Sequence, residues 1–207
     1  MILSASKADL RAQALARRAS LSAEAVAAFA PFLAETGLAF AKSHFAESPL
    51  PASHEVDLVG AYWAIGAEAA TMPLLCALDD AGFSVALPVT GPRGTPLTFR
   101  RWRPGDILVK GRMGIAEPPV TAAVVEPGLL FVPLAAADRE GNRIGYGAGY
   151  YDLTLASFRE SQRVIAVGVC FSCQILDRVP AEAHDQKLDY LLTEEGVTPC
   201  ASLSASG

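Results

Sequence analysis

The sequence lacks any large excess of charge of one sign. Its 207 residues include 17 Lys and Arg against 22 Asp and Glu, and the formal net charge is −5. A mildly acidic chain has no global attraction for nucleic acid or for an anionic membrane surface, so neither is expected as a partner. Any site for an anionic ligand must therefore be a local cluster of basic side chains.

An uncharged apolar run of membrane-spanning length is also missing. The N-terminal residues Lys7, Arg11, Arg17 and Arg18 are reminiscent of a transit peptide, but Asp9 lies among them and no continuous apolar h-region is present. A cytoplasmic protein is the expectation, with a monomer as the default.

Cysteine is scarce and follows no regular framework. The four cysteines are Cys76, Cys170, Cys173 and Cys200, which predicts free thiols in a reducing compartment. Cys170 and Cys173 form one C-x-x-C pair, but a zinc site would need two further ligands at workable spacing, and none is visible. Ordinary buried thiols are the better interpretation.

Three familiar signatures are absent. The chain has no G-x-G-x-x-G, no G-x-x-x-x-G-K-[ST] and no G-x-S-x-G. It therefore lacks the dinucleotide fingerprint, the Walker loop and the nucleophile elbow of α/β-hydrolases. What remains is phosphate binding by backbone amides, assisted by a basic side chain and a metal ion.

What the sequence does contain is a glycine-rich segment between a predicted strand and a predicted helix. An apolar run at 129–134 precedes Gly145, Gly147 and Gly149, and a helical pattern follows at 153–158. A strand, a glycine loop and a helix N-terminus gather free backbone N–H groups around a phosphate, and glycine lets the backbone approach it closely. The alternative is a glycine-rich surface loop with no ligand.

Two side chains that flank these glycines favour a ligand site. Arg143 carries a fork suited to phosphate oxygens. Asp152 lies in the first helical turn, where its carboxylate could hold a metal ion.

The order of the predicted elements indicates an α/β fold. Strand, turn, helix and strand follow one another within 56–87 and again within 129–169, which makes two βαβ units with parallel strands. Helices are predicted at 6–18 and 23–33, and Gly37 is expected to end the second. We expect one domain over residues 1–207, a three-layer α/β/α, Rossmann-like fold with a mostly parallel (mixed) open sheet.

Three further elements are predicted from shorter patterns. Residues 97–102 and 107–109 are expected to pair as a hairpin, and 188–193 to form the last strand. Residues 100–112 are the most basic region of the chain. They suit the wall of a site for an anionic small molecule better than a nucleic-acid surface.

Some candidate site residues have two readings. Glu68 follows the strand predicted at 56–63, where open α/β sheets place ligand residues; a helix-start carboxylate favoured by the helix dipole is equally plausible. Lys7 and Arg11 share one helix face and could serve a polyphosphate, although a solvated basic edge is the commoner outcome. His184 is as well explained by a loop position as by catalysis.

Taken together, these motifs resemble those of the 5-formyltetrahydrofolate cyclo-ligase family (5,10-methenyltetrahydrofolate synthetase). The segment 141–152, G-N-R-I-G-Y-G-A-G-Y-Y-D, is close to the family signature. The resemblance covers nearly the whole chain, because further motifs follow in the family's order: Lys7 with Arg11, then residues 62–68, 97–102, 114–118 and 184–189. One difference is Ala148, where many members carry Lys or Gly.

This resemblance implies ATP- and Mg²⁺-dependent conversion of 5-formyltetrahydrofolate to 5,10-methenyltetrahydrofolate, with release of ADP and phosphate, through a phosphorylated formyl intermediate. The implied ATP-binding residues are Lys7, Ala8, Asp9, Leu10, Arg11, Arg143, Ile144, Gly145, Tyr146, Gly147, Ala148, Gly149, Tyr150 and Tyr151. The implied folate-binding residues are Trp63, Glu68, Tyr146, Gly147, Ala148, Gly149 and Tyr150. Lys7, Arg143 and Tyr151 are implied in catalysis, and Asp152 and Asp189 in magnesium binding.

Two other functions stay open at this point. One is another ATP-dependent small-molecule ligase or kinase on the same fold. The other is a non-catalytic protein that binds folate or a nucleotide.

Overall fold

The computed structural model describes residues 5–47 and 57–201. Its helices are α1 (Lys7–Ala19), α2 (Ala23–Glu47), α3 (Met72–Asp80) and α4 (Tyr150–Ser161), with a short 3₁₀ helix at Ser172–Gln174. Its strands are β1 (Leu58–Gly60), β2 (Ser84–Val89), β3 (Thr98–Arg101), β4 (Val109–Lys110), β5 (Ala116–Glu117), β6 (Leu129–Pro133), β7 (Ala136–Ala137), β8 (Arg143–Ile144), β9 (Ile165–Val169), β10 (Tyr190–Thr193) and β11 (Gly196–Pro199).

Seven strands form the central sheet in the order β11-β10-β9-β6-β1-β2-β3. The five inner strands are parallel to one another, and β3 and β11 pair antiparallel at the two edges. The two predicted βαβ units are present as β1–α3–β2 and β6–α4–β9, which confirms the mostly parallel, mixed sheet.

Helices cover both faces of this sheet. Along β6, Leu129 and Phe131 pack on the side of α2 and α3, whereas Leu130 and Val132 pack on the side of α4. Because successive side chains of a strand point to opposite faces, one apolar run can supply both cores. The three-layer α/β/α architecture is thereby confirmed.

Helix α1 begins where the sequence predicts. Ser6 and Asp9 form a reciprocal capping box, in which the Ser6 hydroxyl accepts the Asp9 N–H at 3.2 Å. The helix packs on the 3₁₀ helix and on β7. It therefore lies near the carboxyl ends of the strands, where ligands bind in α/β sheets.

Helix α2 is much longer than predicted, because Gly37 does not end it. A Cβ at Gly37 would lie 2.8 Å from Leu74 Cδ1 and 3.4 Å from Phe131 Cζ. The glycine is thus a site of close approach to α3 and to the sheet. Pro31 also lies inside the helix, on an exposed face where the carbonyl that it leaves unpaired can reach water.

The predicted hairpin of 97–102 with 107–109 is wrong. β3 pairs with β2, and β4 pairs with β5 instead. Pro88 lies within β2, opposite Phe99 of the edge strand. At the other edge the chain continues past β10 into β11. Residues 48–53, whose Pro and Ser content indicates a loop, fall outside the described residues, as does the first residue of the strand predicted at 56–63.

Within the described residues, one helix, spanning Ala23–Ala46, is long and apolar enough to cross a membrane. Length and composition alone do not identify a membrane span, because the core helices of soluble proteins can have the same length and hydropathy. Phe29, Leu33 and Ala41 of this helix are buried in the core, while small alanines make up much of its outer face.

Candidate active site

A cavity lies at the carboxyl ends of β6, β1 and β2 and has a volume of about 330 Å³. From β1 the chain leads to β2 on one side of the sheet centre, and from β6 it leads to β9 on the other. The cavity therefore lies at the switch point, where open α/β sheets bind their ligands. Its lining includes the charged residues Lys7, Arg11, Glu68, Glu117, Arg143, Asp152 and Asp185.

The glycine loop forms one wall of this cavity. Gly147 (φ 94°) and Gly149 (φ 73°) take left-handed backbone conformations, which other residues rarely adopt. Gly149 is also the N-cap residue of α4, and no side chain caps the helix there. The first amide groups of α4 are therefore available to an anion, as the sequence predicts.

Two basic residues of α1 face this loop. Arg11 Nε donates to the carbonyl oxygen of Gly145 at 2.7 Å. Lys7 Nζ lies 2.6 Å from Asp185 Oδ2 and 3.0 Å from Glu182 Oε1. Burial alone would lower the pKa of Lys7, but these two carboxylates outweigh it and raise the pKa. Lys7 and Arg11 therefore both line the cavity.

Arg143 is almost fully buried beneath the loop. Its Nη2 lies 2.9 Å from Asp152 Oδ1, and its Nη1 donates to the carbonyl oxygen of Gln186. Burial lowers the pKa of Arg143, and the Asp152 carboxylate opposes that shift. The guanidinium stays charged at any physiological pH, but part of its fork is already used within the protein.

Glu68 and Tyr146 form a small network with Arg18. Glu68 Oε2 accepts the N–H of Ile65 at 2.8 Å, and Arg18 Nη1 donates to the Tyr146 hydroxyl at 2.9 Å. Burial raises the pKa of Glu68, and hydrogen bonds from Ile65 and Tyr146 moderate the shift. Burial also raises the pKa of Tyr146 to about 12, so its hydroxyl stays protonated near neutral pH.

Aromatic side chains make up much of the remaining lining of the cavity. Trp63 lies edge-on to Trp102, with ring centroids 6.3 Å apart. The Tyr150 hydroxyl donates to the Gly91 carbonyl at 3.0 Å. Burial raises the pKa of Tyr151, which keeps this hydroxyl neutral. Flat rings on an otherwise apolar wall suit a planar heterocycle.

The two residues predicted to bind magnesium have different surroundings. Asp152 lines the cavity beside the loop. Asp189 is not among the lining residues, and its carboxylate is bound by Arg159 at 3.0 Å and by the N–H of Ala166 at 2.8 Å. Among residues 5–47 and 57–201, no cluster of three or more His, Cys, Asp or Glu residues could hold a metal. Mg²⁺ often takes one or two carboxylates together with substrate phosphates and water, and Asp152 fits that role.

Several other predicted residues do not line the cavity. Ala8, Asp9 and Leu10 lie between Lys7 and Arg11 but are not part of the lining, and Asp9 is used in the helix cap. The basic region at 100–112 also lies outside it, which contradicts the predicted anionic-ligand wall. Arg100 donates to backbone carbonyls of the 120–122 segment, and Arg103 pairs with Asp79.

Three charged residues at the site were not among the predicted site residues. Glu117, which is 4% exposed, and Asp185, which pairs with Lys7, line the cavity. Arg18 lies outside the lining and donates to the Tyr146 hydroxyl. The family motifs at 114–118 and 184–189 contain Glu117 and Asp185, so the resemblance could have identified both residues. No sequence pattern identifies Arg18, because its partner Tyr146 lies 128 positions away. The four cysteines are free thiols, as predicted.

The sheet and the position of the cavity place this protein among the three-layer α/β proteins that have a site for an anion at the switch point of the sheet. Residues 3–194 match the profile of the 5-formyltetrahydrofolate cyclo-ligase family, and the chain belongs to this family. The predicted family and the predicted enzyme class are both confirmed.

Curated relatives agree with this assignment. The 5-formyltetrahydrofolate cyclo-ligase of Mycolicibacterium smegmatis is 37% identical over 143 residues, which are 65% of this chain and 72% of the relative. That of Escherichia coli K12 is 33% identical over 144 residues, 67% of this chain and 79% of the relative.

Solved structures show the same fold. The 5,10-methenyltetrahydrofolate synthetase of Aquifex aeolicus superposes with a TM-score of 0.70 at 30% identity, covering 94% of this chain and 92% of that one. The synthetase of Mycoplasma pneumoniae gives a TM-score of 0.66 at 19% identity, over 90% of this chain and 98% of that one.

Proposed function

We propose that this enzyme converts 5-formyltetrahydrofolate to 5,10-methenyltetrahydrofolate and couples the reaction to ATP hydrolysis, releasing ADP and phosphate. The substrate is the one that the relatives' names carry. The observation that carries the proposal is the shared cavity, in which Lys7, Arg11 and the glycine loop face an aromatic wall with Trp63. One wall suits a polyphosphate and the other a flat heterocycle.

The reaction proceeds through a phosphorylated formyl group. The formyl oxygen attacks the γ-phosphorus of ATP, and ADP leaves. N10 of the folate then attacks the activated formyl carbon and loses its proton, and phosphate departs with the former formyl oxygen. An amide oxygen is a weak nucleophile, so the rate depends on in-line positioning and on neutralising the charge of the transferring phosphoryl group.

The chain's own groups meet these two requirements. Lys7, Arg11 and Arg143 supply positive charge, and the amides around Gly147 and Gly149 supply donors to phosphate oxygens. Tyr151 lies partly buried at the same wall, and its neutral hydroxyl is available as a donor. Trp63, Glu68, Tyr146 and Tyr150 bind the folate, and Ala148 leaves the loop without a further cation.

Asp152 is the residue of this site that would hold Mg²⁺, together with oxygens of the bound nucleotide. When bound, the ion neutralises phosphate charge and orients the nucleotide. Asp189 is left out of this site, because its carboxylate already neutralises Arg159.

The remaining expectations concern the protein's surroundings. We propose a cytoplasmic monomer that engages neither nucleic acid nor a membrane. The net charge of −5 argues against nucleic-acid binding. The burial of Phe29 and Leu33 of α2 in the core argues against membrane insertion of that helix.

Mixing the protein with Mg-ATP and 5-formyltetrahydrofolate, and following absorbance of the methenyl product, tests the proposal. Product should form only when both substrates and Mg²⁺ are present. No product at high enzyme concentration would sink it. ATP hydrolysis that ignores the folate would point to another ligase or kinase, and tight binding of both ligands without turnover to a non-catalytic binding protein.

A further inference from the structure

Four carboxylates line the cavity, and three of them have a basic partner. Asp152 is paired with Arg143, Asp185 with Lys7, and Glu68 interacts with Arg18. Glu117 differs, because no salt bridge to it is found in the part of the chain that the structure describes. A carboxylate that is 4% exposed without a basic partner is unusual, since buried charges are normally compensated.

The Glu117 carboxylate is held in a fixed place. Its Oε1 accepts the N–H of Thr90, just after β2, at 2.9 Å. It also packs against Gly111, where a Cβ would lie only 2.0 Å from the Glu117 carboxyl carbon. No described donor bonds Oε2, and this atom is not among the buried, unpaired polar atoms of the protein. Oε2 is therefore open to the cavity.

The position of Glu117 is opposite to the phosphate wall. Glu117 and Thr90 lie at the end of β2, whereas the glycine loop follows β6. β1 separates these two strands in the sheet, so the two walls are about 10 Å apart. The lining on the Glu117 side is otherwise apolar and includes Pro88, Leu97 and Ile115.

We propose that Glu117 is a specificity-determining residue that binds the amino-pyrimidinone edge of the folate ring. This inference rests on the proposed function and extends it. The pteridine of 5-formyltetrahydrofolate carries two N–H donors side by side, the 2-amino group and N3–H, which match the two oxygens of one carboxylate. N5, which bears the formyl group, lies at the other end of the two-ring system. With the donor edge on Glu117, the formyl group points to the phosphate wall.

The test is Glu117→Gln, measured by binding of 5-formyltetrahydrofolate through the fluorescence of Trp63. Gln retains one oxygen for the Thr90 N–H but presents an amide donor where the substrate also donates. The folate Kd and KM should rise about 10- to 100-fold, while the KM for ATP stays within about twofold. Glu126→Gln removes the same charge at an exposed site outside the cavity and should leave all three values unchanged.

A substrate analogue makes the test independent of how well the variant folds. A 5-formyltetrahydrofolate with a methyl group in place of the 2-amino group should bind the wild-type protein at least about tenfold more weakly. In Glu117→Gln the same replacement should weaken binding only slightly further, because the substitution in the protein and the change in the substrate remove the same contact. The assignment of Glu117 is overturned if the analogue loses as much affinity for Glu117→Gln as it does for the wild type. It is also overturned if Glu117→Gln binds folate with wild-type affinity.

Failure of the proposed function would look different. If the wild-type protein neither binds 5-formyltetrahydrofolate nor forms methenyl product, the proposed function is overturned and this assignment with it. If the wild-type protein turns over normally while Glu117→Gln binds folate equally well, only the assignment of Glu117 is overturned.

Discussion

Arg143 Nη2 lies 2.9 Å from Asp152 Oδ1, and the same carboxylate oxygen accepts the N–H of Gln186 at 3.0 Å. Arg143 belongs to β8 and Asp152 to the first turn of α4, so the ion pair joins the two ends of the glycine loop. The Arg143 side chain is only 4% exposed, where water screens the attraction little. The conformation of the loop and the charge of the site therefore depend on the same contact.

Arg143→Ala should weaken ATP binding far more than folate binding and lower the free energy of unfolding by about 3 kcal/mol, because it leaves the Asp152 carboxylate without its partner. ATP titration and chemical denaturation measure the two effects. Arg159→Ala is the matched control, since Arg159 lies on α4 and pairs with the partly exposed Asp189. It should cost about 1 kcal/mol or less and leave ATP affinity unchanged. Wild-type ATP affinity in Arg143→Ala would show that the clamp is wrongly assigned.

Lys7→Ala should raise the KM for ATP about 10- to 100-fold and leave the KM for folate nearly unchanged, because it removes a charge-assisted contact to phosphate. Steady-state kinetics with each substrate varied in turn measures both constants. Lys42→Ala, on the exposed face of α2, is the control for loss of a lysine. Equal effects of Lys7→Ala on the two KM values would contradict a phosphate-specific role.

Asp152→Asn should raise the Mg²⁺ concentration that gives half-maximal rate by about tenfold or more, because a neutral amide is a weaker magnesium ligand than a carboxylate. Asp189→Asn should lower stability without changing that concentration, since it breaks the contact with Arg159. Rates measured over a Mg²⁺ titration compare the two variants. If Asp189→Asn shifts the titration as far as Asp152→Asn does, Asp189 belongs to the metal site after all.

Gly147→Ala and Gly149→Ala should each lower the free energy of unfolding by about 1–2 kcal/mol and reduce activity, because both positions have left-handed backbone angles. Gly145→Ala should cost less than about 0.5 kcal/mol, since its backbone is not left-handed and a Cβ there meets nothing within 4 Å. Thermal unfolding compares the three variants. Equal stability losses at all three glycines would be incompatible with the loop geometry.

Glu68 should make the folded protein less stable as pH rises. Burial raises the pKa of Glu68 above its ordinary value of 4.5, so the folded state retains the proton that the unfolded chain loses. The stability that this provides is complete below about pH 4.5 and is lost as pH rises through the folded-state pKa. The free energy of unfolding of the wild type, minus that of Glu68→Gln, should therefore fall from about pH 4 to pH 7. A difference that is flat or rises with pH would refute the raised pKa.

Local signals predicted the elements whose causes lie within a few residues. The helix predicted at 6–18, the strand predicted at 129–134 and the glycine loop each depend on neighbouring residues, and each formed where it was expected. Gly37 misled the prediction because its role is set by Leu74 and Phe131, which approach it from elsewhere in the chain. The hairpin predicted between 97–102 and 107–109 was wrong for a related reason, since β3 pairs with β2 and β4 pairs with β5.

The sequence by itself determined the family, the α/β architecture and the residue types that could bind a phosphate, a metal ion and a flat ring. Only the tertiary structure decided how those residues are paired. It brought Asp185 rather than Asp189 to Lys7 and the cavity, and it left Glu117 there with no basic partner among the described residues. The physical reason is that hydrogen bonds and ion pairs act over a few ångströms, and the strand order of the sheet sets which distant residues come within that range.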